Sequence, residues 1–573
     1  MVGKLFVILQ VKYTTEKMGI FDYKRRESRE VQIGEYVKIG GDNKIMIQTM
    51  ANVDTNDIDA SVAQAKRCIE AGAELVRFTT QGIKEVESLA KTAQRLKDEG
   101  INTPLSADIH FNANVAERAA LAVEKIRINP GNFVAGKRGE YSDDEWNEER
   151  RKIKEKLEPV IRNCKSKGTA IRIGVNHGSM SPRMMSRYGD TPRGLAESCI
   201  EMIEMIEELD FKDIVLSVKA SNARIMVQTV RLLASMIDER GMNYPIHLGV
   251  TEAGSDDEGR IKSAIGIGAL LMDGIGDTIR VSLSENPEDE IPVADKLVRY
   301  VNHRRTDIKI HCENELPFNP FEYTRRKSNK ADLLGDGQVP VVVAHTDGLG
   351  ADYTVMTMPR FLMVGSLKDI DEMTVNALAH NPEVPLMLAP ANPNFVGEIR
   401  AMVSEFDKAG IRNPIVASRV YMTDDIEELE VMAGTDFGAL LIDGLLDGIY
   451  IYDRSEVITE QQVVDMSFKM LQASRARITD TEYITCPGCG RTKYDLNAAV
   501  KKVKEATRGY KGMKIAIMGC VVNGPGEMAD ADYGYVGGAA GRVSLYKGRE
   551  CVAKNISEDE AVDELVKIIK NNK

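Results

Sequence analysis

Three cysteines near the end of the chain are the residues best suited to chemistry. Cys486 and Cys489 flank a Pro-Gly pair, and Cys520 lies in the string GCVVNGPGE, which ends at Glu527. Three thiolates from a tight turn and a Gly-rich loop suit an iron–sulfur cluster. A cubane cluster normally takes four cysteines, so one iron would stay open or take a weaker oxygen ligand. Because an open iron can bind a substrate, this pattern predicts a catalyst rather than a simple electron carrier.

A structural zinc site is the alternative interpretation of these cysteines. Zinc fits a CxxC pair plus a distant cysteine, but it usually completes its tetrahedron with another Cys or a His. No histidine follows His380 in the sequence, so that ligand is missing. Unligated thiols are the third possibility. The remaining cysteines are scattered singly and are assigned no chemistry: Cys68, Cys164, Cys199, Cys312 and Cys551.

The composition is that of an ordinary globular protein. A length of 573 residues corresponds to about three or four domains at roughly 150 residues each. The formal net charge of −12 argues against nucleic acid as a partner. No apolar run approaches the ~18 residues that a membrane span requires. Eight cysteines are too few for a disulfide scaffold in a chain of this length, so we expect a cytoplasmic protein.

The first half of the chain alternates short β-rich runs with helical patterns. Eight such units match a (β/α)8 barrel of the TIM type in both number and length. A doubly wound open sheet is the competing fold, but it would normally show a Gly-rich turn after an early strand, and none is present. The predicted strands are 44–50, 73–80, 104–111, 125–131, 170–176, 213–221, 245–254 and 277–285.

Two further modules follow this barrel. We predict domain boundaries of 1–304 for the barrel, 305–475 for an inserted, degenerate barrel-like α/β domain (the insert), and 476–573 for a small α+β cysteine-bearing domain (the C-terminal module). Within the insert, residues 305–337 are polar and irregular, as in a linker, and five strands are predicted between 338 and 453. In the C-terminal module, strands lead into Cys486 and Cys520.

An internal repeat relates the insert to the barrel. Residues 268–283 read GALLMDGIGDTIRVSL and residues 438–453 read GALLIDGLLDGIYIYD, with eight of sixteen positions identical at an offset of 170. This similarity indicates that the insert carries a degenerate copy of the barrel's final unit, with chance similarity as the alternative. Arg280 and Ser282 of the first copy correspond to Tyr450 and Tyr452, so we expect a spacer rather than a second active site.

The active site of such a barrel lies at the carboxyl ends of its strands. Four arginines and a lysine meet there, although the protein is acidic overall. Guanidinium groups bind phosphate oxygens bidentately, so this ring predicts a small substrate with two phosphates. The carboxylates are candidates for proton transfer, and the histidine is either catalytic or a satisfied buried side chain. The predicted positions are Gln48, Arg77, Asp108, His110, Arg127, Asn129, Arg172, Asn176, Lys219, Ser221, Glu252, Arg280 and Ser282.

At these residues the chain resembles the 4-hydroxy-3-methylbut-2-enyl diphosphate synthase family of the non-mevalonate isoprenoid pathway. The insert makes it similar to the long, three-domain form of that family. One departure is His177, where we expect a small residue. The matching strings are ADIHF (107–111), RINPGN (127–132), IRIGVN (171–176), SVKAS (217–221), GVTEAG (249–254), GIGDTIRVSL (274–283), CPGCGR (486–491) and GCVVNGPGE (519–527).

The resemblance implies an iron–sulfur oxidoreductase that opens the ring of 2-C-methyl-D-erythritol 2,4-cyclodiphosphate with loss of water. It implies a [4Fe-4S] cluster on the three cysteines with Glu527 as exchangeable fourth ligand, and Glu252 as proton donor or hydrogen-bond partner. Flavodoxin or ferredoxin would supply the electrons, and a homodimer is expected. The implied diphosphate ligands are Arg77, Arg127, Arg172, Asn176, Lys219, Arg280 and Ser282.

Two other functions remain open at this point. One is a sulfite- or nitrite-reductase-like iron–sulfur enzyme, although such proteins generally need sirohaem and a fourth cysteine. The other is a phosphate-binding barrel with a zinc-stapled domain and no redox chemistry. For the leading interpretation, the cluster and the phosphate pocket must close on one another across the insert, which excludes water from the reacting centre.

Overall fold

The computed structural model describes residues 20–109, 112–134, 136–137, 139–304, 308–521, 524–528 and 530–571, and only the backbone of residues 525 and 527.

A short hairpin precedes the barrel. Strands β1 (Val31–Ile33) and β2 (Val37–Ile39) pair antiparallel. Their buried side chains pack with Met46 and Leu75, near the amino ends of the barrel strands. The hairpin was not predicted, because strands of three residues are too short to establish a period-2 pattern.

Eight parallel strands form the barrel. They pair in the order β8-β7-β6-β5-β4-β3-β10-β9, and a bridge between Leu216 and Ile246 joins the two ends. The predicted TIM-type barrel is therefore confirmed. The strands are β3 (Met46–Met50), β4 (Leu75–Thr80), β5 (Leu105–Ile109), β6 (Lys125–Ile128), β7 (Ala170–Asn176), β8 (Ile214–Lys219), β9 (His247–Leu248) and β10 (Thr278–Ile279).

The helices that surround the barrel begin at local capping signals. The side chains of Asp57, Ser142 and Thr191 each accept a hydrogen bond from a first-turn amide of the helix that follows, which satisfies donors that have no helical partner. The helices are α1 (Ile58–Glu70), α2 (Ile83–Asp98), α3 (Ala113–Ala119), α4 (Asp143–Lys167), α5 (Pro182–Tyr188), α6 (Pro192–Glu207), α7 (Ala223–Glu239), α8 (Asp256–Met272) and α9 (Glu290–Arg304).

The insert contains an open parallel sheet of six strands, in the order β12-β11-β16-β15-β14-β13. Its strands are β11 (Val341–Ala344), β12 (Tyr353–Thr354), β13 (Leu362–Val364), β14 (Leu386–Leu388), β15 (Ile415–Tyr421) and β16 (Gly448–Asp453). A 3-10 turn spans Leu367–Asp369, and the helices are α10 (Glu372–Ala379), α11 (Phe395–Lys408), α12 (Ile426–Ile442) and α13 (Glu460–Ala473). The five predicted strands are present, and β12 is an addition.

The irregular segment before β11 is anchored rather than loose. Arg325 forms an ion pair with Asp447 at 2.9 Å, and Arg326 forms one with Asp407 at 2.9 Å. Arg326 also donates to the carbonyl of Asn413 at 3.0 Å. The basic stretch therefore fixes this segment to the insert sheet.

The barrel and the insert pack through helices α8 and α12, which correspond at the offset of 170 and whose last turns begin the two copies of the repeat. A Cβ placed on Gly268 would lie 2.7 Å from Thr435 Oγ1, and one placed on Gly438 would lie 2.5 Å from Ile265 Cγ1. Gly268 and Gly438 correspond at the offset of 170, as do Ile265 and Thr435. The two contacts are therefore equivalent, and they relate the modules by a local pseudo-twofold axis.

A buried ion network lies on the same axis. Arg231 donates to Asp273 at 2.7 Å and to Asp443 at 2.8 Å, while Arg400 donates to Asp443 at 2.8 Å and to Asp273 at 2.7 Å. Asp273 and Asp443 also correspond at the offset of 170. Two guanidinium groups and two carboxylates with full mutual pairing can be buried without an uncompensated charge.

The C-terminal module is an α+β unit, as predicted, and its mixed sheet has five strands in the order β17-β18-β19-β20-β21. Cys486 directly follows β17, and Cys520 lies two residues beyond β18. The last three strands were not predicted. The elements are β17 (Glu482–Thr485), α14 (Leu496–Thr507), β18 (Lys514–Met518), α15 (Gly524–Glu527), β19 (Tyr533–Gly537), β20 (Arg542–Lys547), β21 (Glu550–Ser557) and α16 (Glu558–Lys570).

The C-terminal module is docked on the mouth of the barrel of its own chain. Ala253, after β9, pairs in parallel with Thr485 at the end of β17. The Ser284 hydroxyl lies 2.8 Å from Thr485 Oγ1 and donates to the Cys486 carbonyl at 3.0 Å. The domain boundaries after residues 304 and 475 stay a prediction. No helix in the described part of the chain is both long and apolar enough to cross a membrane.

Candidate active site

A cleft with about 730 Å³ of empty space lies between the barrel mouth and the C-terminal module. It brings together nine of the predicted barrel residues and all three predicted cysteine ligands. The predicted residues that line it are Arg77, Asp108, Arg127, Arg172, Asn176, Lys219, Glu252, Arg280, Ser282, Cys486, Cys489 and Cys520. Residues that are 170 or more positions apart in sequence thus face one space.

Three of the cleft arginines belong to barrel strands, and their side chains lie in the barrel interior. Arg77, Arg127 and Arg172 each occupy the third position of their strand. In β4, the neighbours Val76 and Phe78 are buried in the apolar core. Because side chains alternate across a strand, the arginine between them points to the barrel interior. These residues were predicted at strand ends, but they begin deeper and reach toward the mouth.

Neighbouring groups hold these guanidinium groups in place. Arg127 donates to Asp108 at 3.1 Å and to the Gly174 carbonyl at 2.9 Å, and Arg172 donates to Ser217 Oγ at 2.5 Å. Gly174 is required here, because a Cβ on it would lie 2.4 Å from Arg127 Nε and 3.1 Å from Arg172 Nη1. The barrel therefore makes room for two adjacent arginines by omitting a side chain.

Lys219 and Arg280 complete the cationic side of the cleft. Arg280 donates to both carboxylate oxygens of Glu290, at 3.1 and 3.0 Å, which fixes the plane of its guanidinium group. Lys219 packs against Gly249, where a Cβ would lie 2.7 Å from its Nζ. Burial, together with the surrounding arginines, holds the pKa of Lys219 well below its usual range.

The cleft carries more positive than negative groups. Five cations of the barrel and Arg491 of the C-terminal module line it, against the carboxylates Asp108 and Glu252. Arg77 Nε and one terminal nitrogen of Arg172 are buried without a hydrogen-bond partner among the described residues. Burial lowers the pKa of Arg77 to about 10. Buried donors with an excess of positive charge are what an anionic ligand with several oxygens would satisfy.

The three cysteines face the cations from the C-terminal module. Gly519 N donates to Cys486 Sγ at 3.0 Å. A hydrogen bond from the Cys520 side chain lowers the pKa of Cys489 to about 5, and Arg491 adds to this, whereas burial raises the pKa of Cys486 to about 12. Within the described residues, no three His, Cys or carboxylate side chains surround a single point closely enough to hold one metal ion.

Glu252 has an unusual backbone conformation at the edge of the cleft. Its φ is +48°, in the left-handed region that non-glycine residues rarely adopt and that usually marks a functional or over-determined position. The side chain is buried, and the next residue forms the bridge to Thr485. The docked C-terminal module therefore fixes the loop that carries this carboxylate.

Three predicted residues lie outside the lining of the cleft. Gln48 is buried lower in the barrel, where its Nε2 lies 2.8 Å from His247 Nδ1 and donates to Thr278 Oγ1 at 2.7 Å. Asn129 donates to Ser179 Oγ at 3.1 Å and accepts from Gly131 N at 2.9 Å, which stabilises the turn after β6. Ser221 is buried just after β8.

Two other predictions concern side chains that lie outside the described residues. His110 lies outside them, and so does the side chain of Glu527, whose backbone belongs to α15. His177 lies 3.3 Å from Asp190 and is not part of the cleft lining.

Several lining residues were not predicted from the sequence. Arg491 and Thr492 follow the CPGCG turn, Met50 ends β3, and Thr251 precedes Glu252. Arg491 was visible as the last letter of a matched string, but its place opposite the barrel arginines depends on docking of the C-terminal module. Met50 offered no signal, although its sulfur accepts from Arg77 at 2.7 Å.

A TIM barrel with an anion-binding mouth, covered by a cysteine-bearing module, defines a class of anion-binding barrel enzymes with a thiolate site. Two family models match the chain: the GcpE TIM-barrel domain over residues 28–295 and the GcpE protein C-terminal domain over residues 482–571. The chain belongs to the GcpE family, the 4-hydroxy-3-methylbut-2-en-1-yl diphosphate synthases.

Several curated relatives match over nearly the whole chain and carry the name 4-hydroxy-3-methylbut-2-en-1-yl diphosphate synthase (flavodoxin). The protein of Bacteroides fragilis is 46% identical over 97% of each chain. That of Porphyromonas gingivalis is 44% identical over 97% of this chain and 99% of its own, and that of Leptospira interrogans is 37% identical over 96% and 97%.

Among solved structures, N-acetylneuraminic acid synthetase from Leptospira borgpetersenii aligns with 49% of this chain and 93% of its own, at 12% identity and a TM-score of 0.33.

Proposed function

We propose that the protein converts 2-C-methyl-D-erythritol 2,4-cyclodiphosphate to 4-hydroxy-3-methylbut-2-enyl diphosphate by reductive ring opening with loss of water. One observation carries the proposal: cations from the barrel and three cysteines from the C-terminal module line the same cleft. A small diphosphate held by the cations would lie directly against the cysteine site. The names of the relatives support this reaction and point to flavodoxin as the electron donor, with ferredoxin as the alternative.

The cysteines fit a [4Fe-4S] cluster better than a single zinc ion. Zinc would need its thiolates within ~2.3 Å of one point, whereas a cluster offers a separate iron to each thiolate. The three sulfurs line one cleft, no histidine follows His380 to complete a zinc site, and the Gly519 amide that donates to Cys486 suits a thiolate acceptor. Cys486, Cys489 and Cys520 would hold the cluster, with Glu527 as exchangeable fourth ligand. When bound, the cluster would supply electrons one at a time.

The barrel residues bind and orient the diphosphate. Arg77, Arg127, Arg172 and Arg280 form charge-assisted hydrogen bonds to phosphate oxygens, and Lys219 takes up charge as the anion enters. Asn176 and Ser282 supply neutral polar contacts, while Gln48, Asn129 and Ser221 support the strands and turns beneath. Asp108 keeps Arg127 in place, since the two are 3.1 Å apart.

Glu252 serves as the proton donor for the oxygen that leaves as water. It lines the cleft between the cations and the cysteines, and its buried position excludes bulk water as a competing donor. The reaction consumes two electrons and two protons and releases one water. A catalytic role for His110 and a homodimer stay predictions.

Electron paramagnetic resonance on dithionite-reduced protein purified without air tests this function. We expect a cluster signal that changes when the cyclodiphosphate is added, and product formation with reduced flavodoxin. Cys520→Ser is the matched control and should lose the substrate response. Stoichiometric zinc without iron would contradict the proposal and favour a zinc-stapled phosphate-binding barrel. A cluster signal that ignores the cyclodiphosphate would contradict the substrate.

A further inference from the structure

A buried lysine lies where the barrel, the insert and the C-terminal module meet. Lys262, in the second turn of α8, is 6% exposed, and within the described chain its ammonium forms no hydrogen bond or ion pair. It lines a second cleft, with about 420 Å³ of empty space, behind the Glu252 loop. Its lining includes Ala253 and Glu258 of the barrel, Lys469 of the insert and Glu482 of the C-terminal module.

The other charged groups of this cleft have partners. Each is held by an ion pair with a residue beside the cleft, so Lys262 is left as the residual charge. The pairs are Glu258 with Lys504 at 2.7 Å, Glu482 with Arg475 at 3.1 Å, and Lys469 with Asp257.

The electrostatic surroundings of Lys262 come from both sides of the docked interface. Burial lowers the pKa of Lys262, and Arg475 adds to this effect. Glu482, Glu252 and Glu258 act in the opposite direction, with Glu482 the strongest of the three. Lys262 in turn lowers the pKa of Glu482, against the effect of burial. The attraction that compensates the buried ammonium therefore comes mainly from β17 of the C-terminal module.

Docking of β17 and the conformation of Glu252 are mechanically connected. Glu482 begins β17, Thr485 ends it, and Cys486 follows directly. Thr485 bridges to Ala253, the residue after Glu252. The left-handed backbone at Glu252 is costly for a non-glycine residue and persists only where neighbours fix it. A residue that holds Glu482 in place therefore also fixes the positions of Glu252 and Cys486.

We propose that Lys262 is a positioning residue. Its ammonium attracts Glu482 and thereby holds β17 against the Glu252 loop, which fixes Glu252 relative to the cysteines. This inference rests on the proposed function, since it assigns Lys262 to the same site. Lys262 lines a different cleft from the predicted diphosphate ligands, so we expect it to affect the chemical step more than substrate binding.

Variants at Lys262 test the proposal in the full chain purified with its metal site intact. Lys262→Met should lower kcat about tenfold with little change in KM, and Lys262→Arg should restore most of it. Hydrogen exchange, measured without turnover, should become faster at the amides of residues 482–486 in Lys262→Met. Lys469→Met is the matched control, because Lys469 lines the same cleft but is already paired, and it should leave exchange in 482–486 unchanged.

A double variant separates pairing from general packing. If Lys262 acts through Glu482, then Lys262→Met combined with Glu482→Gln should be no worse than the more damaging single variant. The charge swap Lys262→Glu with Glu482→Lys should recover part of the lost protection. Additive losses, or unchanged or slower exchange in Lys262→Met, would overturn the proposal. Because exchange is read without substrate, altered exchange in a protein without synthase activity would defeat the proposed function but not the positioning role.

Discussion

The barrel mouth and the corresponding edge of the insert sheet share a scaffold but not a chemistry. Glu290 and Glu460 are the first residues of α9 and α13 and correspond at the offset of 170. Glu290 holds the cleft residue Arg280. Glu460 instead accepts from the backbone and hydroxyl of Thr346, at 2.9 and 2.7 Å. The same carboxylate position thus supports a ligand-binding arginine in one copy and a loop in the other.

At the insert edge, aromatic side chains replace the arginine and serine of the barrel mouth. Tyr450, in the place of Arg280, lies 3.0 Å from His345 Nδ1, and the ring of Tyr452 is 4.9 Å from that of His345. At these two positions the insert therefore carries aromatic side chains that contact a histidine, where the barrel carries a guanidinium group and a serine. The difference teaches that the barrel scaffold provides positions, while a few side chains decide whether those positions bind an anion.

At the interface between the barrel and the insert, the corresponding residues of the two modules make the same contacts. Substitutions at corresponding positions there should therefore lower the stability of the protein by equal amounts. Asp273→Asn and Asp443→Asn each remove one of the two carboxylates that neutralise the buried Arg231 and Arg400. We expect each substitution to lower the free energy of unfolding by about 3–5 kcal/mol. Urea unfolding of the full chain measures both midpoints. A large loss in one variant and none in the other would break the equivalence.

At the mouth, where the copies differ, equivalent changes should have unequal effects. Arg280→Ala removes charge-assisted hydrogen bonds worth ~1.5–3 kcal/mol, so KM for the cyclodiphosphate should rise about 10- to 100-fold. Tyr450→Ala is the matched control and should change KM less than about twofold. Steady-state kinetics under anaerobic conditions measure both, and equal damage would contradict a silent insert.

Substitutions of Glu290 and Glu460 should also differ in their effect on KM, but by less than substitutions of Arg280 and Tyr450. Glu290→Gln keeps the shape but removes the charge that orients Arg280, so we expect KM to rise by about three- to tenfold, corresponding to ~1 kcal/mol. Glu460→Gln should leave KM unchanged and affect only the stability of the insert. Kinetics and thermal unfolding separate these outcomes, and a rise in KM for Glu460→Gln would tie the insert to substrate binding.

The smallest effect concerns the pH dependence of anion binding. Burial and the neighbouring arginines hold the pKa of Lys219 low in the free protein, and a bound diphosphate favours its ammonium form, which raises the pKa. Binding then takes up a proton between the two pKa values, so affinity falls as pH rises through that interval. Calorimetry of pyrophosphate binding in two buffers with different ionisation heats measures the uptake. Lys219→Met should abolish it, and identical heats in both buffers for the unchanged protein would contradict it.

Much of the fold followed from local patterns, and the misses have local reasons. The barrel strands are apolar runs whose alternation and spacing are visible in the sequence. The hairpin at Val31–Ile39 and the strand pairs after Tyr533 are short or half exposed, so their pattern is weak. Gln48 and Asn129 were predicted at the mouth, but Gln48 lies in the middle of β3 and Asn129 lies in the turn after β6, where both make structural hydrogen bonds.

The sequence by itself determined the kinds of group at the site: arginines within barrel strands, a glutamate after β9, and cysteines after strands of a separate module. Residue types and their spacing are encoded locally, which makes them readable. Only the tertiary structure decided that Arg491 faces Arg77 across one cleft, that Lys262 lies behind Glu252, and that the repeat forms a pseudo-twofold interface. Those relations depend on how modules dock, and docking arises from contacts between residues far apart in the chain.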